Sequence, residues 1–436
     1  MGIFRLASRN LFRNKRRTYI TMVSIALSVA LTSFLRFLTY GTHQENIDQV
    51  VELTTGYLQV AAYGWVESRR RLDRAVDYTE DLEKKLKHPD IQAISPRITS
   101  GALAAKDEHS AFVQVQGGAP DKEKQVSSLH TRIVEGRYLD PDFAATENED
   151  GVTVYQAIIG VRLADNLDAK VGSIISIVGS RFDGSTGAAL VKILGIIKTG
   201  NPELDGNYVW TDLNAARELF APGNPERGIV RYTSIVLGTK DALVAQDVYD
   251  DLDERFPVPE TELPPEYSRT YDPVLLYWDD LNQDLVQYLL LDQIGIEITL
   301  TFLILIMASG VMTTVEMSLH ERQREFGILL AIGTRGSHLI KVVMLEVFLL
   351  LLFGIIPGLV LGMGGGYYLE LNPVELGGEL GEAIQEMGSV VTIRAIVNLQ
   401  ETYIALLTLM LPSLGLSYLT IRKIPKLNPV EVIGTL

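Results

Sequence analysis

TYITMVSIALSVALTSFLRFLTY, residues 18–40, is a run of 23 residues carrying a single charge, Arg36. A helix needs about 20 mostly apolar residues to cross the hydrocarbon core of a bilayer. This run is too long for the apolar core of a signal peptide, and no small-x-small cleavage site follows it in a turn-prone context. The sequence therefore predicts a retained anchor. Three further stretches of the same kind lie near residues 296–319, 340–368 and 403–421. Between the first two runs the chain is polar for roughly 250 residues, room for one or two folded subdomains.

Composition agrees with a chain of two characters. Mean hydropathy over the 436 residues is mildly positive, below that of an all-membrane bundle and above that of an ordinary soluble protein. With no cysteine there is no disulfide framework, thiolate metal site or lipid-bearing N-terminal cysteine. The six histidines are scattered without an i,i+4 pair, so no metal site is expected. No G-x-x-x-x-G-K-[ST] occurs, and ATP is not expected to bind this chain through a P-loop. No catalytic set stands out.

The basic residues orient the spans. Arg5, Arg9, Arg13, Lys15, Arg16 and Arg17 precede the first, Arg322, Arg324 and Arg335 lie between the second and third, and Arg422, Lys423 and Lys426 follow the fourth. The other two connections are acidic, the shorter one through Glu370, Glu375, Glu379, Glu382 and Glu386. With four spans, all basic segments fall on one side, which predicts cytoplasmic termini. The formal charge of −15 then belongs to the outer face and argues against nucleic acid as a partner.

The expected organisation is an amphipathic N-terminal helix at 1–17, with Ile3, Phe4, Leu6, Leu11 and Phe12 as its apolar residues. Spans follow at 18–40, 288–319 (including a stalk), 340–369 and 401–421. An extracytoplasmic domain occupies 41–287, a cytoplasmic coupling loop 320–339, an outer loop 370–400 and a tail 422–436. In the domain, β-branched runs bounded by glycine predict strands at 57–60, 111–116, 172–178 and 190–197. Short helices are expected at 79–86 and 212–220, the second capped by Asp212. The fold class expected is a membrane protein of four transmembrane helices with a large α+β extracytoplasmic domain between the first and second. Tyr271, Tyr277, Trp278 and Tyr288 are expected near the outer interface, where amphipathic rings are favoured.

The loop HERQREFGILLAIGTRGSHL, residues 320–339, packs Glu321, Arg322, Arg324 and Glu325 into five positions, then an apolar stretch ended by Gly333. A short amphipathic helix on the cytoplasmic surface fits this pattern, with Phe326, Leu329 and Leu330 holding it to the bilayer and its charges free for a soluble partner. A plain snorkelling connection fits it equally.

Three segments in order, RNLFRNKRRTYITMVSIALSVAL (9–31), MTTVEMSLHERQREFGILLAIGT (312–334) and IPKLNPVEVI (424–433), resemble the permeases of MacB/FtsX-type ABC transporters. The resemblance spans all four apolar runs; one departure is Thr313, where the family often has asparagine. It implies that Glu321, Arg322, Arg324, Glu325, Phe326, Gly327 and Gly333 form the helix docking on a separate ATPase, and that ATP and Mg are bound there, with no cofactor in this chain. TTGYLQV (54–60), HPDIQAISPRI (88–98), VQGGAP (115–120) and ILGIIKTGNPELDGNYVW (193–210) are similar to the lipoprotein-releasing, LolC/LolE-type branch. That branch implies an ATPase dimer, a second permease chain, identical or homologous, a lipoprotein or lipidic substrate, and a periplasmic carrier chaperone. The stretch matching the chaperone hairpin, GSRFDGSTGA (179–188), is short and lacks proline. The location implied is the bacterial inner membrane. The alternatives are an FtsX-like transmitter regulating a cell-wall hydrolase, a drug or peptide efflux permease, and a sensor without an ATPase.

Two further features belong to the spans. Arg36 and Glu297 fall at similar depth, near the outer ends of the first two runs; the expectation is that they face each other at an outer cavity, the alternative that each snorkels to headgroups. Glu316 is a third ionisable residue near the spans. Gly354, Gly358, Gly362 and Gly366 recur every fourth residue, placing four glycines on one helix face for close approach of another helix.

Overall fold

The computed structural model describes residues 10, 12–68, 71–147, 151–220, 223–224, 229–259, 272–376, 378, 392–422 and 424. They fall into two compact units. One is made of described residues of Met1–Glu45, Tyr288–Leu376 and Thr392–Leu436, the other of Asn46–Gln287 with Gly377–Val391.

The first unit is a helical bundle. Its four long apolar helices are Lys15–Val50, Gln283–Glu321, Gly336–Leu371 and Leu399–Ile421, and each is long and apolar enough to cross a membrane. At about 1.5 Å per residue even the shortest, at 23 residues, covers the hydrocarbon core. Helices answer the lack of water in lipid because every backbone N–H and C=O pairs within the segment. Asn398 starts the last one, its side chain accepting from Gln400 N–H. Of the surface helix expected at 1–17, residues 1–9 and 11 lie outside the described residues. Residues 15–17 are the first turn of the spanning helix itself.

The glycine face of the third helix meets the first. A Cβ built on Gly354 would lie 2.6 Å from Ile25 Cγ2, one on Gly358 2.6 Å from the Ala26 carbonyl oxygen, and one on Gly366 2.9 Å from Phe37 Cδ2. On Gly362 it would overlap Ser33 Oγ. The first helix thus lies in a groove only glycine can provide. Ile25, Val29, Leu350, Leu351, Ile355 and Leu409 make the core around this contact.

The second unit is built on an eleven-stranded sheet among the described residues. In chain order its strands are β1 (Leu58–Ala62), β2 (Ala93–Lys106), β3 (His109–Gly118), β4 (Ile133–Gly136), β5 (Thr146–Glu147), β6 (Thr153–Gly160), β7 (Ile174–Ser180), β8 (Thr186–Ile197), β9 (Tyr208–Asp212), β10 (Ser234–Gly238) and β11 (Pro273–Tyr277). The main path runs β11-β1-β10-β2-β3-β9-β6-β8-β4, with β5 on β6 and β7 joining β2 to β8. Pairing is antiparallel except for β3 with β9 and β6 with β8. Helices Glu80–Lys85 and Leu213–Phe220 stand where the sequence predicts them, capped by Thr79 and by Asp212, whose Oδ1 accepts from Asn214 and Ala215 N–H. The 14-residue β2 carries Pro96, serines and a glycine, and no strand signature marks it.

The first long helix ends in a π turn, Val51–Thr55, closed by Gly56 at φ +67°. Arg97, 2% exposed, binds Glu123 at 2.8 Å and donates to the Thr54 carbonyl, tying β2 to that turn. Ser95 Oγ also donates to Glu123, at 2.5 Å. Tyr277 is a strand residue packed on Tyr249 with ring centroids 5.6 Å apart. Tyr271 lies outside the described residues. Residues 179–188 form a tight hairpin from β7 to β8, turned at Gly184 with φ +82°.

Candidate functional site

The connection between the second and third long helices is itself helical, Gln323–Ala331. Gly333 stops it. At φ +91° its N–H bonds the Leu330 carbonyl at 3.0 Å, and Thr334 N–H bonds the Leu329 carbonyl at 3.0 Å. This is the paired C-terminal closure that a left-handed residue permits, and glycine adopts it without strain.

Two faces of this short helix differ. Phe326, 2% exposed, and Gly327 point into the bundle core. That corrects the expectation that Phe326 rests on the bilayer: it fills the end of the core, with the Arg322 guanidinium 4.9 Å from its ring centroid. On the opposite face lie Arg324, Ile328 and Ile332, one turn apart, with Ile332 74% exposed. Leu329 is also exposed.

The charges at the start of the helix are mostly engaged within the chain. Arg322 is 9% exposed and its Nη1 donates to both oxygens of Glu346, at 2.9 and 3.1 Å. Arg322 Nε also donates to Glu325 at 3.2 Å. Arg13 donates to Glu325 at 2.6 Å and Arg17 to Glu321 at 2.8 Å. The Arg13 hydrogen bond holds the Glu325 carboxyl below the usual glutamate range, assisted by Arg322. So the residues read as free for a partner separate. Glu321, Arg322 and Glu325 face their own chain, while Arg324 faces outward. The sequence reading overlooked Glu346, although a carboxylate inside KVVMLEVFLLLL (341–352) is a signal, since a charge in a spanning helix has a partner. Glu316, by contrast, lines a small cavity with His320, Gln323 and Thr420.

At the other end of the bundle Arg36, 7% exposed, binds Glu297 at 2.8 Å. Glu401 of the fourth long helix joins them, 3.2 Å from Arg36 Nη1. Glu401 was also overlooked; it opens the last apolar run, where it reads as an ordinary acidic first-turn residue. One helical turn beyond Glu297, His43 and Asp292 meet at 2.7 Å. Arg36 therefore ties three helices, with two carboxylates around one guanidinium.

Residues 297–429 match the FtsX-like permease C-terminal domain, and residues 18–255, more than half the chain, match the MacB-like periplasmic core domain. The chain belongs to the MacB/FtsX permease family. It is similar to the lipoprotein-releasing system transmembrane protein LolC of Neisseria meningitidis, 24% identical over 80% of this chain and 78% of that one. An uncharacterized ABC transporter permease of Methanocaldococcus jannaschii, MJ1507, is 23% identical over 99% of this chain and 97% of its own. The macrolide export ATP-binding/permease protein MacB of Bordetella avium is 21% identical over 83% of this chain and 52% of its own. This MacB/FtsX-type chain is thus an ABC transporter permease. Its relatives are membrane components that work with an ATPase, and its sheet domain is the periplasmic core domain of the family.

Proposed function

We propose that this permease couples a separate ATPase dimer to the release of lipoproteins, or other lipidic envelope cargo, from the outer leaflet of a bacterial inner membrane. Two permease chains and two ATPase subunits make up the complex, and both termini of each chain are cytoplasmic. ATP and Mg bind on the ATPase.

The outward face of Gln323–Ala331 carries this reading. Arg324, Ile328, Leu329 and Ile332 form an exposed apolar face with one cation, on a helix whose other face is locked into the bundle by Phe326 and Arg322. A push on that face moves the bundle ends rather than deforming the loop. The bundle core is apolar, which suits cargo taken from the membrane surface better than solute passing through a wet pore. The similarity to LolC favours lipoprotein over drug.

The test is purification of the full chain from native membranes with identification of its companions. An ATPase and lipid-modified proteins are expected with the wild-type chain. Arg324→Glu combined with Ile332→Glu is expected to lose the ATPase at least tenfold while the chain stays in the membrane. Copurification of a cell-wall hydrolase without lipoprotein, or retention of the ATPase by the double variant, overturns the proposal.

A further inference from the structure

The first long helix is far from the Gln323–Ala331 helix along the chain; more than 300 residues separate Arg13 from Glu325 and Arg17 from Glu321. A push on the short helix reaches the second and third long helices through the backbone. It reaches the first through the glycine-face contact with the third helix and through polar side chains at one end of the bundle. Those polar side chains form a ladder. Arg17 and Thr21 lie one turn apart on the first long helix, Arg13 in the 3-10 turn Phe12–Asn14 that leads into it, and Asn10 just before that turn. Asn10 Nδ2 donates to Glu346 at 2.8 Å, Arg13 to Glu325 at 2.6 Å and Arg17 to Glu321 at 2.8 Å, and the Thr21 and Thr314 hydroxyls meet at 3.1 Å. From Arg13 to Thr21 the partners step backwards in sequence, Glu325, Glu321, Thr314, as antiparallel neighbours must. Glu346 in turn is held by Arg322. The ladder therefore joins the first, second and third long helices and the short helix at one end of the bundle.

We propose that this ladder is the load path from the short helix to the first long helix, with Arg13, Arg17 and Glu346 as its positioning residues. The proposal rests on the ATPase-coupled reading above. It assigns Glu321 and Glu325 a role inside the chain, gripping the arginines, and leaves docking to the outward face. The seam has mixed strength by construction. The Arg322–Glu346 pair is buried and rigid, while Arg13 and Glu325 are each about half exposed and can part and re-form as the helices slide.

The chain has no cysteine, so two introduced thiols give a clean pair of spin labels. Leu31→Cys on the first long helix and Phe302→Cys on the second are both exposed in the bundle. The full chain, purified with its ATPase in lipid nanodiscs, is labelled there, and the inter-label distance is read with and without ATP and Mg. An ATP-dependent distance shift is expected in the otherwise wild-type chain. R13E/R17E is expected to retain the ATPase and lose the shift, and R13E/R17E/E321R/E325R, with the Arg13–Glu325 and Arg17–Glu321 rungs swapped and Arg322 still held by Glu346, to regain it. A full shift in R13E/R17E, or no recovery in the swapped chain, overturns the ladder while leaving the docking proposal standing. If R13E/R17E does not assemble, the swapped chain decides: recovery of assembly and shift supports the ladder, and failure overturns it. A wild-type chain that brings down no ATPase overturns both proposals.

Discussion

Glu346 sits in a long apolar helix and accepts from Arg322 Nη1 and Asn10 Nδ2. Desolvating a guanidinium and a carboxylate is expensive, and only close pairing offsets it, so removing one partner is worse than removing both. Glu346→Ala or Arg322→Ala is expected to destabilise the bundle by about 3–5 kcal/mol, and R322M/E346L by far less. Thermal melts of the detergent-solubilised chain check the ordering. The Arg13–Glu325 pair is the opposite case, half exposed, with an expected contribution of about 0.2–1 kcal/mol. Its pH dependence has a definite sign. The folded-state carboxyl lies below its unfolded value, so its contribution is present above the unfolded glutamate value of about 4.3 and is lost as pH falls through the lower folded value. The melting difference between wild type and Glu325→Gln should therefore be present at pH 7, lost as pH falls below the ordinary glutamate range, and reduced in 1 M salt. Of these residues, Glu321, Arg322 and Glu325 were legible as important from their crowding in five positions. Their partners were not, because Arg322 turning inward depends on Glu346 arriving from another helix.

Among the elements, the third long helix shows how a repeat becomes a contact. Four glycines every fourth residue are visible in the sequence, and the helix that fills their groove is not. Gly362→Leu is expected to destabilise by about 1–3 kcal/mol, because the added atoms meet Ser33 Oγ and the Ala30 carbonyl. That loss exceeds the helix-propensity gain of about 0.8–1 kcal/mol from replacing glycine. Gly364→Leu is the control, since no atom lies within 4 Å of a Cβ built there, and it should be neutral or stabilising. Comparing their melting temperatures checks both. In the sheet domain, strands with β-branched residues between glycines were legible, and β2 was not. Its strand formers Ile94, Ile98 and Thr99 are scattered among Pro96, serines, a glycine and alanines, and its course is set by pairing with β3, β7 and β10.

For the whole molecule, hydropathy counts the spans, while composition places a polar domain between the first two. These quantities are sums over neighbouring residues, so the sequence by itself determined the four long helices, the intervening α+β domain and the short helix after the second span. The family followed from the same residues, because MTTVEMSLHERQREFGILLAIGT carries a span and the short helix after it together. Tertiary structure alone decided which charges are free. Arg36, read as half of a pair, holds Glu297 and also Glu401, 365 residues away. Arg13 and Arg17, read as orientation signals, grip Glu325 and Glu321. The fate of a charge is set by what lies within a few ångströms of it, and helix packing brings together groups that no local pattern relates. Arg324 faces outward for the same reason: among the described residues no hydrogen bond or ion pair holds it to the bundle.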